Sequence, residues 1–251
     1  MLIMGILFLL ITHTAKLVRC FFLVMEKRIS FRFFCFVYIF TTVLNTIIPY
    51  KLGELLRLLI FIFLLKDIGM SLLVIFTERF FDSITLLLFL LPTGYMHGFT
   101  QPFVISSMCI LALVFFMVYK AFPSISANIN EFIILKKGQQ LDITALKILD
   151  FADTIYNKEK IILKNKRNAL VFLTAISWIF DFLAIIIVLA QTNSAIDIRS
   201  VTNFFYTITA GNMKDISLMY YKFSFFSLFI ICITVSILSI LNRRAVKNHA
   251  A

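Results

Sequence analysis

Three short runs place ionisable side chains inside otherwise apolar sequence, and any chemistry this chain performs would reside there. The first is Pro49-Tyr50-Lys51-Leu52-Gly53-Glu54-Leu55-Leu56-Arg57. On a helix starting near Lys51, a spacing of three sets Lys51, Glu54 and Arg57 along one stripe. Two cations around one carboxylate leave net positive charge, which suits a phosphate. Gly53, lacking a side chain, lets another backbone or a lipid headgroup approach closely. The second run is Glu78-Arg79-Phe80-Phe81-Asp82, in which Glu78 and Asp82 are four apart and share a helical face with Arg79 alongside. Pairing of Arg57 with Glu78 or Asp82 across neighbouring helices would satisfy these groups. The third is Trp178 with Asp181, three residues apart, where Asp181 needs a partner and Lys51 or Arg57 are the natural candidates. If these runs cross a bilayer, each charge costs about 2.5–3.5 kcal/mol at a helix centre and must face the protein interior or a watery cavity. Two readings stand: ion pairs that fix helix packing, or a path for a lipid headgroup or a proton. Lys16 and Arg19 read differently, as side chains snorkelling to the interface.

Other chemistries have little to stand on. His13, His97 and His249 are scattered, so no His-based metal site is expected. Cys20, Cys35, Cys109 and Cys232 sit in apolar runs without a CxxC pair and read as buried small hydrophobes. There is no Gly-rich phosphate loop and no GxSxG. The only acid/base groups on offer are Glu54, Glu78, Asp82 and Asp181. No cofactor and no enzyme activity are expected.

The elements that carry these runs follow from composition. Of the 251 residues 61% are apolar, thirty of them Phe, and only 15% are charged. A soluble surface needs more polar groups than that, so the chain reads as an all-α polytopic membrane bundle forming a single transmembrane domain over 1–251. The net charge of +11 is assigned to basic loops beside anionic headgroups rather than to nucleic acid, since no compact basic and aromatic module is present.

Five stretches reach the roughly 20 apolar residues that a span requires: about 2–25, 72–92, 103–122, 168–190 and 217–241. Two shorter ones, 33–48 and 52–65, are joined at Pro49, which interrupts a helix, and read as a re-entrant hairpin. The first stretch lacks a basic leader and reads as a retained helix. Lys27, Arg28 and Arg32, the nine basic residues from Lys120 to Arg167, and Arg243, Arg244 and Lys247 all fall on one side when the spans alternate. By the positive-inside rule that side is cytoplasmic and includes the C-terminus, which leaves the N-terminus outside. Residues 123–167 are expected as a cytoplasmic loop, with 139–160 as an amphipathic helix on the membrane surface or against the bundle.

The run from Asn45 through Pro49, Lys51, Gly53, Glu54 and Arg57, followed by Glu78, Arg79 and Asp82, resembles the transmembrane region of the lysylphosphatidylglycerol synthetase family. The helix with Trp178 and Asp181 is similar to that family's later Trp-containing span. The likeness covers roughly residues 10 to 240. The family usually has a further helix before this chain's first. It also carries a Pro- and Gly-rich second re-entrant segment, where this chain has Thr202 to Asn212 with one glycine and no proline.

The resemblance implies a flippase-like protein of the bacterial inner membrane that binds or translocates an anionic phospholipid or a polyprenyl-linked glycan. Lys51, Arg57 and Arg79 would hold the phosphate, Glu54, Glu78 and Asp82 would orient those cations, and Asp181 would belong to the same substrate-binding set. Asn45, Pro49, Gly53 and Trp178 would supply the structural motif. Two alternatives remain open: a non-transporting partner of a glycosyltransferase or envelope-synthesis complex, and a membrane-embedded transferase using Glu54 or Asp82 as base. A second copy of the chain is among the partners considered.

Overall fold

Apolar runs in a bilayer satisfy their backbone groups internally, and every described element of this chain is helical. The computed structural model describes residues 2–27, 29–47, 52–97, 102–135, 140–191, 200, 201, 204 and 215–249. They form α1 (Leu2–Val24) with a 3-10 turn at Met25–Lys27, α2 (Phe31–Ile47), α3 (Leu52–Leu65), α4 (Ile68–His97), α5 (Pro102–Leu135), α6 (Gln140–Gln191) and α7 (Asp215–His249). Among the described residues, Leu2–Lys27, Ile143–Gln191 and Leu218–Leu241 hold stretches long and apolar enough to cross a membrane, and Phe31–Asn45 is a shorter apolar helix. Large apolar side chains face outward on several helices, among them Phe33, Phe63, Phe172 and Phe229. An aqueous surface would not carry them, whereas a lipid-facing one does. This is a multi-pass helical membrane protein.

α1 is the central helix. It runs antiparallel along α6, because a side chain on Gly5 would meet Ile187 at one end and Lys166 Nζ donates to the Phe22 carbonyl at the other, 2.9 Å away. α4 runs in the same sense as α6: Lys158 reaches Asp67 near the start of α4, Trp178 reaches Asp82 further on, and Phe182 packs on Phe89 beyond that. α2 and α3 lie against each other, with Phe34 and Phe61 ring centroids 6.1 Å apart. Two apolar clusters stack along the bundle. One gathers Leu17, Leu23, Phe34, Phe61, Leu73 and Leu170. The other gathers Leu9, Leu86, Ala184, Val188 and Phe223. Between them α1, α4, α6 and α7 contribute a polar layer.

Within the stretch expected as a cytoplasmic loop, residues 123–135 and 140–167 are helical. α5 continues to Leu135, and the amphipathic stretch joins the predicted span in a single 52-residue helix. At 1.5 Å per residue α6 is about 78 Å long, more than twice a hydrocarbon core of about 30 Å. Its first half therefore extends beyond the span as the partner of α5. Tyr156 packs on Tyr119 and Phe122, and the Ser126 hydroxyl donates to the Asp153 carboxylate at 2.7 Å. The helical spacing of the apolar residues was legible in the sequence. The missing piece was that no breaker interrupts 140–191, so the two predicted segments share one hydrogen-bond ladder. Pro123 sits inside α5, where it removes one backbone hydrogen bond without ending the helix.

Candidate functional site

The polar layer is built on a stripe of α1. Thr12, Lys16 and Arg19 recur at intervals of four and three, on the face shared with Gly5, Leu9 and Leu23. α6 answers with Thr174, Ser177, Trp178 and Asp181 at the same periodicity. Because the helices are antiparallel, the two stripes meet along their length. The Thr12 hydroxyl donates to the Ser177 carbonyl at 3.3 Å, and Arg19 Nη1 donates to Thr174 Oγ1 at 2.9 Å.

Arg19 is the hub. Its guanidinium grips Asp82 with both terminal nitrogens, Nη1 to Oδ1 at 2.8 Å and Nη2 to Oδ2 at 3.1 Å. Such a two-point fork is the strongest arrangement open to this pair. Nη2 also lies 3.4 Å from Glu78 Oε1. On the other side of Glu78, Arg57 Nη2 stands 2.8 Å from Oε2. The Arg57 guanidinium is flanked by the rings of Tyr38 and Phe61, 5.2 and 5.4 Å from the centroids, and touches Cys20 Sγ at 3.6 Å. Trp178 Nε1 donates to Asp82 Oδ1 at 3.2 Å. One chain of charges thus ties α1, α2, α3, α4 and α6 together. Its centre is closed to the outside, the side chains of Arg19 and Glu78 being 1% and 4% exposed, while Asp82 at 18% is partly open.

Deeper along α1, Lys16 Nζ meets Asp181 Oδ2 at 3.2 Å and lies over the Trp178 ring. Asp181 accepts a second hydrogen bond from the Tyr220 hydroxyl of α7. Next to this group His13 Nε2 and the Ser224 hydroxyl share a hydrogen bond of 2.8 Å.

At the rim the arrangement loosens. Arg79 Nη1 and Glu54 Oε1 are 3.5 Å apart, with side chains 41% and 27% exposed. Among the described buried polar atoms, Arg19 Nε, Arg57 Nε, Arg79 Nε and Thr77 Oγ1 have no hydrogen-bond partner.

The structure brings Glu54, Arg57, Glu78, Arg79 and Asp82 to one region, with Trp178 and Asp181 adjoining. Gly53 packs so tightly on Asn45 that a Cβ would overlap the Asn45 Cα, which explains both residues of the motif: the start of α3 crosses the end of α2 backbone to backbone. Pro49 and Lys51 lie outside the described residues, as does most of the stretch from Thr202 to Asn212.

Two expectations are corrected. Arg19 does not snorkel; it is the most enclosed charge of the network, and Lys16 likewise turns inward to Asp181. Asp181 is partnered by Lys16 and Tyr220, whereas Arg57 goes to Glu78. The missed signal was the stripe itself: Thr12, Lys16 and Arg19 share the face of Gly5, whereas a snorkelling cation needs only to lie near a helix end. No group of three or more His, Cys, Asp or Glu that could hold a metal ion occurs among the described residues.

Residues 1–219 match the family model described as "Lysylphosphatidylglycerol synthase TM region". No curated protein and no solved structure matches the chain.

Proposed function

The chain belongs to the lysylphosphatidylglycerol synthase TM region family, and from that premise we propose that it binds an anionic phospholipid or lipid-linked glycan at the rim of its polar layer and passes it between the leaflets without changing it covalently. Membership relates the protein to lipid handling in the membrane. The observation that carries the finer reading is the Arg79–Glu54 pair, which is long at 3.5 Å and partly exposed, yet adjoins the closed network. A lipid phosphate can displace Glu54 from Arg79 there, because Arg79 keeps donors free while Glu78 and Asp82 already have Arg57 and Arg19. In this reading the protein resides in a bacterial plasma membrane, with its basic loops and C-terminus on the cytoplasmic side.

Native mass spectrometry tests it on purified wild type beside Arg79→Gln, a partly exposed position whose loss should leave the fold intact. Wild type should retain a phospholipid or polyprenyl-phosphate species that the variant releases, and vesicles containing wild type should translocate a fluorescent analogue of that lipid faster than those containing the variant. Equal lipid retention by both proteins would refute the site.

One observation favours a second reading, a non-transporting partner of a glycosyltransferase or another envelope-synthesis protein. Arg19 and Arg57 are matched by Glu78 and Asp82, a balance that suits a rigid scaffold. A scaffold predicts no lipid bound to either protein.

A further inference from the structure

A second charged cluster stands apart from the polar layer, where α1 ends, α4 begins and α6 passes from its apolar to its polar half. Asp67 occupies the two-residue turn between α3 and α4 and caps α4, its Oδ1 accepting from the Met70 N–H at 3.0 Å. Its other oxygen, Oδ2, receives two lysines at once: Lys27 Nζ at 2.8 Å and Lys158 Nζ at 3.3 Å. The hydrogen bond from Lys27, followed by that from the Met70 N–H, holds the Asp67 carboxyl well below the usual carboxylate range. Beside this pair Lys166 is bound to Glu26 at 3.0 Å. Three ammonium groups therefore face two carboxylates, and the cluster keeps a net positive charge.

The cluster opens on a cavity of about 300 Å³ lined by Glu26, Lys27, Met70, Lys158, Ile161 and Ile162. That volume sits at the low end of small-ligand sites. An ammonium has three donors and no acceptor. Lys27 and Lys158 each use one on Asp67, and both side chains are more than a third exposed. Their remaining N–H groups can grip a second anion without breaking the ion pairs. Glu26 does not oppose this, being neutralised by Lys166. Met70, Ile161 and Ile162 give the cavity an apolar wall directly beside its cationic side. A cationic side next to an apolar wall, at the level where a membrane helix ends, is complementary to a phosphate that carries an apolar or glycerol substituent.

We propose that this cavity binds a phosphate ester of net negative charge, its phosphate bridging Lys27 and Lys158 and its substituent lying on Met70, Ile161 and Ile162. The site shares no residue with the Arg79–Glu54 rim. It stands or falls independently of the translocation reading.

The test uses the full chain in a non-ionic detergent and titrates it with dihexanoyl phosphatidylglycerol, dihexanoyl phosphatidylcholine, glycerol phosphate and inorganic phosphate. Wild type should bind the phosphatidylglycerol saturably, and Lys27→Gln with Lys158→Gln should weaken it about tenfold or more, as expected when charge-assisted hydrogen bonds are removed. Arg79→Gln should bind as wild type does, which separates this site from the rim. Lys158→Gln alone, at an exposed position, should weaken binding by a smaller factor and guards against misfolding of the double variant. Competition by glycerol phosphate at equal affinity would identify a soluble phosphate ester as the ligand, and competition by inorganic phosphate at equal affinity would overturn the role given to the substituent. Their failure to compete would identify a lipid headgroup. Equal binding by wild type and both lysine variants, or equal binding of the zwitterionic lipid, would overturn the proposal.

Discussion

The ion pairs around Arg19 and those around Asp67 use the same chemical groups in opposite surroundings. Arg19 is buried and holds Asp82 in a two-point fork, supported by Thr174 and Trp178. Asp67 receives two lysines at the bundle's edge, each more than a third exposed. In the first region Arg19, Arg57 and Glu78 have left water, so each depends on its partners for solvation. In the second, water and ions compete for every contact. The difference teaches that intramembrane charge acts as an obligatory structural joint, whereas boundary charge is exchangeable. Exchangeable cations are the ones free to take up a ligand.

The sharpest way to break this contrast is to remove the hub. Arg19→Gln leaves Asp82 without its cation and takes from Glu78 one of its two, and should destabilise the protein by about 3–5 kcal/mol. It should be seen as loss of monodisperse protein in detergent or a large fall in melting temperature. Pairing it with Asp82→Asn should recover part of the loss, because the uncompensated charge disappears. A stable Arg19→Gln protein would show that the layer tolerates unpaired charge.

Gly53→Ala should come next, at about 1–3 kcal/mol, since the added carbon must push α3 away from the Asn45 backbone. A melting temperature equal to wild type would mean that the α2–α3 crossing is looser than described.

Asp67→Asn should cost no more than about 1 kcal/mol or so, as partly exposed pairs contribute little and Asn still caps α4. Its pH dependence carries more information. The folded-state carboxyl is depressed, so the stabilisation is present above the ordinary Asp value near 4 and is lost as pH falls further below it. The melting-temperature gap between wild type and Asp67→Asn should therefore be constant from about pH 7 to 5 and shrink on acidification. A gap that widens with acid would reverse the assignment.

The smallest effect belongs to Lys66, whose φ of 50° lies in the left-handed region at the end of α3. Lys66→Gly removes a conformational strain of about 1–2 kcal/mol and adds unfolded-state freedom of about 0.4–1 kcal/mol. The net gain should centre on about 0.8 kcal/mol, read as a slight rise in melting temperature; a fall would show that the lysine makes a compensating contact.

Much of the architecture is legible without coordinates. The apolar content and helix-length runs determined a helical membrane bundle, because a chain with so few charges has no other stable solvent. The two short apolar stretches 33–48 and 52–65 marked the short helices α2 and α3. The Asn45-to-Arg57 and Glu78-to-Asp82 runs marked the family and the charged residues, since charges inside apolar runs must be partnered somewhere.

Which partner each charge took was decided only by tertiary structure. Arg57 could reach Glu78 or Asp82 on spacing alone; Glu78 is its partner because Arg19 already occupies Asp82. Asp181 faced several cations in the sequence, and the antiparallel course of α1 along α6 places Lys16 beside it. The direction in which a polar stripe faces depends on the helix it meets, and one chain's periodicity carries no information about that neighbour. Ion pairing acts over a few ångströms, so the sequence could determine that these charges needed partners, and only the packing of α1 between α4 and α6 could choose them.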